Sequence, residues 1–285
     1  MPHDNSPHPA SINRDSKDYW NKRAATFTRY ATEDYERWLM DLLSPAMGET
    51  ILDMGCATGT LALPLARAGH HVHACDFAEA MLTILDQRAA AENLPITSHL
   101  LAWDEDWSRA GLGENSVDCA FASRSLMSDH TLSRISKLDA TARVKAAVVV
   151  PNSLPPSSDP RLLTYLGRKA KRPSTVREVL RALRYLGRIP VTATTNTYRP
   201  MRFNSFDEAR ADLRRLARPE PFTAREQRLF DAYARDHFVE VPAAQPANGL
   251  SNDHSDSPQT QWVLNYLLPV VWTFIGWRTD GSEWE

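Results

Sequence analysis

The sequence predicts an α/β fold with a doubly wound, mostly parallel sheet and a mainly helical cap inserted after the fifth strand. Three observations predict it. Short apolar runs recur at 50–54, 72–75, 96–102, 117–122 and 144–150, each bounded by turn or helix signals. Helical periodicity fills the gaps over 61–68, 78–91 and 132–143, and strands alternating with helices need crossover connections, hence a parallel sheet covered on both faces. After Val150 the alternation breaks at VPNSLPPSSDPR, where Pro151, Pro155, Pro156 and Pro160 stop a continuing helix or central strand.

Ahead of the first strand, Trp20, Ala24 and Phe27 recur at helical spacing, and so do Tyr35, Trp38, Leu39 and Leu42. Two leading helices are expected, the second ending near Pro45. Residues 1–15 are polar and Pro-rich and read as a flexible tail, and the α/β core is expected over 16–150.

The inserted cap is expected over 151–222. It holds a basic amphipathic helix at 174–186, an extended piece VTATTNTYRPMRF, and a helix opening with Ser205 and Glu208 in capping-box register. Thr223 and Glu226 open another helix, which begins the return to the core over 223–285. The run near 243–260 is turn-rich and poor in large apolar residues, as a mobile loop would be, and VVWTFIGWR reads as a closing strand.

Bulk properties narrow the function. With 285 residues and 42% hydrophobic content the chain can bury a core. A formal net charge of -2 gives no overall cationic field for nucleic acid or anionic lipid, so neither is expected as a partner. The apolar runs are too short to span a membrane. Cys56, Cys75 and Cys119 lie in or beside strand-like runs without ligand spacing, which fits buried reduced thiols and a cytoplasmic location. His70, His71 and His73 straddle a helix end and a strand whose alternate residues face opposite ways, so no metal is expected.

The chemistry concentrates in ETILDMGCATGTLALPLARAGHHVHACDFAEAML, residues 49–82. A strand enters a turn with Gly55 and Gly59, a helix follows, and a second strand stops at Asp76. A helix opening after such a turn offers unpaired N–H groups to an anionic group. Gly55 would let backbone approach the ligand, and Gly59 would let the helix start close to the strand. The order Gly55-Cys56-Ala57-Thr58-Gly59 lacks the third glycine of a dinucleotide turn and the lysine of a phosphate-binding loop. Asp76, about twenty residues on, can accept both hydroxyls of a ribose.

These residues resemble the class I S-adenosylmethionine-dependent methyltransferases. ILDMGCATGT is similar to their first motif, HVHACDFAEAML to the second-strand motif ending in the ribose acid, SVDCAFASRSL to the fourth strand, and DYWNKRAATF to the helix that often precedes the first motif. The resemblance covers about residues 16–150 and implies a class I methyltransferase-like Rossmann fold with S-adenosyl-L-methionine as cofactor and S-adenosyl-L-homocysteine as product. It implies that Asp53 faces the methionine amino group, that Gly55, Cys56, Ala57, Thr58 and Gly59 form the turn around the methionine moiety, and that Asp76 takes the ribose. Phe77 would lie beside the adenine with Met81 in the same binding set. Trp103, Asp104 and Glu105 would flank the adenine and its amino group, and Ser123 the sulfonium. Ala57 and Thr58 stand where many members have a further glycine.

After the fourth strand, Arg124 and His130 are the catalytic candidates, because ligands of open parallel sheets sit beyond the carboxyl ends of the strands. His130 can take a proton near neutral pH, although Ser128 and Asp129 also read as a helix N-cap pair. Methyl transfer needs in-line approach more than a strong base. The expectation is a monomeric or homodimeric methyltransferase acting on a small-molecule acceptor. Two alternatives stay open: an RNA or protein acceptor met by the basic helix over 174–188, with Arg177, Arg181, Arg184 and Arg188 on one face, and a non-catalytic cofactor-binding module.

Overall fold

The computed structural model describes residues 16–25, 27, 33–126, 130–152, 158–169, 175–199, 201–217, 221–242 and 260–284. The expected tail over 1–15 and residues 243–259 of the expected loop lie outside the described residues. Residue 260, at the loop's expected end, instead opens a strand.

Contacts divide the chain into two units: Met1–Val150 with Arg177–Ala193 and Phe274–Glu285, and Pro151–Val176 with Thr194–Thr273. In order, the first 150 residues form α1 (Lys17–Ala24), α2 (Glu33–Leu43), β1 (Thr50–Met54), α3 (Ala62–Arg67), β2 (His71–Asp76), α4 (Glu79–Ala91) and β3 (Ile96–Leu100). A 3-10 turn (Trp107–Ala110), β4 (Val117–Ser123), α5 (Thr131–Thr141) and β5 (Ala142–Pro151) follow. Later come α6 (Pro160–Tyr165), α7 (Thr175–Tyr185), β6 (Pro190–Arg199), β7 (Arg202–Phe203), α8 (Phe206–Arg215), α9 (Ala224–His237), β8 (Phe238–Pro242), β9 (Thr260–Leu264) and β10 (Leu268–Arg278).

Seven strands share one sheet in the order β3-β2-β1-β4-β5-β10-β6. The pairs β1 with β2, β1 with β4, β2 with β3 and β4 with β5 are parallel. The chain therefore winds outward from β1 in both directions, and the reversal leaves a crevice beyond the carboxyl ends of β1 and β4. Ile51, Leu52, Ala120 and Phe121 are buried on successive positions, which is why these strands read as unbroken apolar runs rather than alternating ones. The three cysteines are free and buried, and burial pushes the Cys119 thiol up to about 12. Among the described residues no helix is long and apolar enough to cross a membrane.

The second unit differs from the expected insert in content and extent. Besides α6, α8 and α9 it contains an antiparallel sheet in the order β7-β9-β8, whose strands Phe238–Pro242 and Thr260–Leu264 lie beyond residue 222 and pair with one another in register. Helix α9 packs here, with Phe230 and Tyr233 buried against Leu213, Phe238 and Leu264, while α7 beyond Val176 belongs to the first unit. Helix α6 begins at a proline that the sequence reading took as a break. Asp159 caps it, its Oδ1 accepting the N–H groups of Arg161 at 2.9 Å and Leu162 at 3.3 Å, and proline suits the first helical position, whose N–H has no helical partner. The box opening α9 forms in full: Thr223 Oγ1 accepts from Glu226 N–H at 3.2 Å and Glu226 Oε2 from Thr223 N–H at 2.8 Å.

Candidate functional site

The site begins with two acids at the ends of adjacent parallel strands. Asp53 stands on β1 opposite Ala74 on β2 and Phe121 on β4, so the sheet encloses it and leaves 2% of it exposed. Burial, then the nearby Asp76 charge, pushes its carboxyl up to about 8, against a hydrogen bond from the Ala62 backbone. Its Oδ2 has no hydrogen-bond partner although buried. A buried carboxylate oxygen without a donor is costly, and a cationic or hydrogen-bond-donating ligand group would relieve that cost.

Asp76 ends β2 and holds the turn. Its Oδ2 accepts the Ala57 N–H and its Oδ1 the Ala78 N–H, both at 2.9 Å. Burial raises its pKa, against hydrogen bonds from the Ala78, Ala57 and Phe77 backbone. Thr58 is buried with an unpartnered Oγ1, while its carbonyl accepts from Arg88 Nη1 at 3.0 Å. Two carboxyls raised by burial and an unpartnered hydroxyl thus converge on one turn.

Packing around the turn requires both glycines. Gly55 has φ +82, and a Cβ there would overlap the Ser125 side chain, whose Oγ donates to the Met54 carbonyl at 2.5 Å. The missing side chain makes room for the segment after β4. At Gly59, with φ +87, a Cβ would run into Leu85 of α4 and stand 2.9 Å from Leu63 Cγ. Its missing side chain therefore makes room for α4 and the first turn of α3.

Some predicted residues serve packing. Met81 is 1% exposed, in a cluster with Ala24 and Ala78 and with Trp20 and Phe27 against it. Cys56 is buried and Ala57 takes φ 48 in the turn; Phe77 is half-buried. Trp103 is buried with its indole N–H unpartnered, its ring 5.5 Å from Trp107 and under the Arg134 guanidinium at 5.7 Å. The Asp104 side chain is 78% exposed and lies 3.9 Å from Arg134. Glu105 turns back on its own loop, its Oε2 accepting the Ala102 N–H at 2.7 Å.

Beyond β4, Ser123 Oγ shares a hydrogen bond of 2.6 Å with the Tyr35 hydroxyl. The Arg124 guanidinium lies 4.6 Å over the Tyr35 ring, and Arg124 itself has φ 61 with its N–H on the Val149 carbonyl at 2.9 Å. Burial raises the Tyr35 pKa, with the Arg124 charge opposing. Tyr35 joins the site from α2, which only the fold could reveal; its sole sequence signal was a place in an apolar helical stripe. His130 is exposed at φ 62 as the N-cap of α5 and makes no side-chain cap bond. Ser128 and Asp129, the expected cap pair, lie outside the described residues.

Residues 51–145 match the family model described as Methyltransferase domain. That segment is similar to methyltransferase domains, and the sheet around it has the fold of the class I S-adenosylmethionine-dependent methyltransferases. The chain is 31% identical over 127 residues to an uncharacterized protein of Haemophilus influenzae, covering 44% of this chain and 46% of that one. It is 43% identical over 51 residues to a demethylmenaquinone methyltransferase of Clavibacter sepedonicus, covering 18% of this chain and 21% of that one. The chain thus spans less than half the length of either relative. Among solved structures it resembles Haemonchus contortus phosphoethanolamine N-methyltransferase 2 in complex with S-adenosyl-L-methionine, with a TM-score of 0.51, 13% identity and coverage of 94% of this chain and 58% of that chain. That likeness is one of fold.

Proposed function

We propose that the chain is a methyltransferase that moves the methyl group of S-adenosylmethionine to a nucleophile on a small molecule. The observation that carries this reading is the pair Asp53 and Asp76 at the reversal of strand order, with the Asp53 Oδ2 buried and unpartnered. When bound, the cofactor supplies an electrophilic methyl on a sulfonium.

The chain's own residues supply binding and orientation. Asp53 offers a carboxylate oxygen to the methionine ammonium, and Asp76, fixed by two N–H groups, presents its remaining lone pairs to the ribose hydroxyls. The turn Gly55, Cys56, Ala57, Thr58 and Gly59 follows the methionine chain. Phe77, Trp103, Asp104 and Glu105 lie toward the base, with Met81 packed behind, and Ser123 flanks the reacting centre. Arg124, held over Tyr35, favours an acceptor with negative character, and His130 takes a proton from it. The net charge of -2 supports a small acceptor over a polyanion.

The test is calorimetric titration of S-adenosylhomocysteine into wild type and Asp76→Ala. We expect saturable binding that weakens at least about a hundredfold in the variant, the loss of charge-assisted and turn-ordering bonds together. A folded wild type that does not bind overturns the reading. A second reading rests on α7, where Arg177, Arg181 and Arg184 are exposed along one face: an RNA acceptor would give salt-sensitive retention lost on neutralising Arg177 and Arg181.

A further inference from the structure

The sequence set His70, His71 and His73 on opposing faces, but His71 and His73 are two residues apart on β2 and share one. Val72 and Ala74, on the other face, are fully buried, whereas His71 is exposed and His73 half-buried. The edge strand β3 adds a half-buried His99. His73 Nδ1 and His99 Nε2 stand 3.0 Å apart. The His71 ring stacks on His73 with centroids 4.9 Å apart, and its Nε2 is engaged with Thr97 Oγ1 at 2.9 Å.

Two neutral imidazoles hold that separation as a hydrogen bond when one nitrogen donates and the other accepts. The same separation serves a metal. Two nitrogens bound to one ion at about 2.0–2.1 Å stand about 2.9 Å apart at a right angle and about 3.4 Å apart at the tetrahedral angle. The observed distance matches the right angle, the geometry of tetragonal Ni2+ and Cu2+ centres rather than of tetrahedral zinc.

We propose that His73 Nδ1 and His99 Nε2 form a two-imidazole site for a divalent transition metal of the nickel or copper type, bridging β2 to the edge strand β3. Among the described residues no group of three or more His, Cys, Asp or Glu side chains is arranged to hold a metal, so the remaining coordination positions fall to water. Cys75, next along this face and opposite His99 in register, is fully buried and stays outside the ligand set. Loading the site moves the proton between the rings to the far nitrogen of its own ring through solvent, so both imidazoles stay neutral and no net proton leaves. Oxygen-preferring Mg2+ and Ca2+ are excluded by the all-nitrogen donor pair.

The test titrates Ni2+ alone into the full chain by calorimetry, with S-adenosylhomocysteine affinity measured on each variant as an independent check. We expect one equivalent bound by wild type, an affinity lowered about tenfold or more in His73→Gln and in His99→Gln, and His71→Gln close to wild type. Cu2+ loaded at one equivalent should give an electron paramagnetic resonance spectrum split by two imidazole nitrogens, a readout that needs no variant. Unchanged Ni2+ affinity in the double variant His73→Gln/His99→Gln, a copper spectrum with one nitrogen or none, or no metal uptake by wild type would each overturn the site.

Discussion

The ends of β1 and β2 and the segment after β4 meet at one crevice but are built in opposite ways. The first is fixed by local chemistry: Asp76 ties down both the turn and the approach to α4 through two backbone N–H groups, and Asp53 sits enclosed by neighbouring strands. The second is fixed from afar. Ser123 and Arg124 are held by Tyr35, 88 residues away in the case of the Ser123 bond, and Ser125 occupies room that Gly55 leaves. A half built from short-range bonds can be read off a motif, whereas a half built from tertiary packing cannot.

The largest effect that would break this comparison is expected at Gly59. Alanine there combines a strained φ of +87 with overlap on Leu85 and Leu63, and should destabilise the protein by about 3 kcal/mol, strain plus overpacking. Gly48 gives the contrast, since it has φ +80 and nothing near a Cβ, so Gly48→Ala should cost only about 1 kcal/mol of strain. Denaturant midpoints of the two variants measure the difference. Equal losses would mean that α4 does not press on the turn.

Asp53→Asn is expected to act next in size, with a sign that depends on pH. The folded carboxyl, pushed up to about 8 by burial and by Asp76, binds a proton that the unfolded chain has already released above its ordinary range near 4. Stability is therefore greatest at low pH and falls as pH rises from about 4 to about 8. Removing the charge should stabilise the ligand-free protein by about 2 kcal/mol at pH 8, the full displacement being reduced because a crevice relaxes part of the burial cost. Near pH 4 it should change little. Affinity for S-adenosylhomocysteine should rise with pH toward 8 in wild type and stay flat in the variant, if the cationic amino group calls for the ionised carboxyl. Melting temperatures and calorimetric titrations across that range check both slopes, and a stability slope that persists in Asp53→Asn would assign it to another group.

The division between local and distant construction also explains what the sequence disclosed. Alternation of strand and helix, the turn, and the acids at 53 and 76 were legible because each depends on residues within a few positions or on a fixed strand-to-strand spacing. Gly55 and Gly59 were recognised as special, but their neighbours Ser125 and Leu85 come from other elements. Met81 carried a binding-set position by motif alignment, yet its burial against α1 is a packing fact. In the second unit, Asp159 and Pro160 carried a helix-start signal that the surrounding prolines obscured. The pairing of residues 238–242 with 260–264 spans a long interval and has no local mark.

Tyr35 offers the smallest and sharpest test of the distant half. Its hydroxyl meets Ser123, while its ring lies under Arg124, so the two contacts can be removed separately. Tyr35→Phe deletes one hydrogen bond and leaves Ser123 to find another, which should cost about 1 kcal/mol with Arg124 still seated on a ring. Tyr35→Leu keeps apolar volume but removes the aromatic face, and the lost cation–π contact should add about 1 kcal/mol more. If the ring positions Arg124 for an acceptor, the Phe variant should retain turnover close to wild type. The Leu variant should lose turnover while keeping its affinity for S-adenosylhomocysteine, because Asp76 and the turn are fixed by the Ala57 and Ala78 N–H groups rather than by Tyr35. Equal turnover in both variants would separate Arg124 from the chemistry and leave Tyr35 as packing alone.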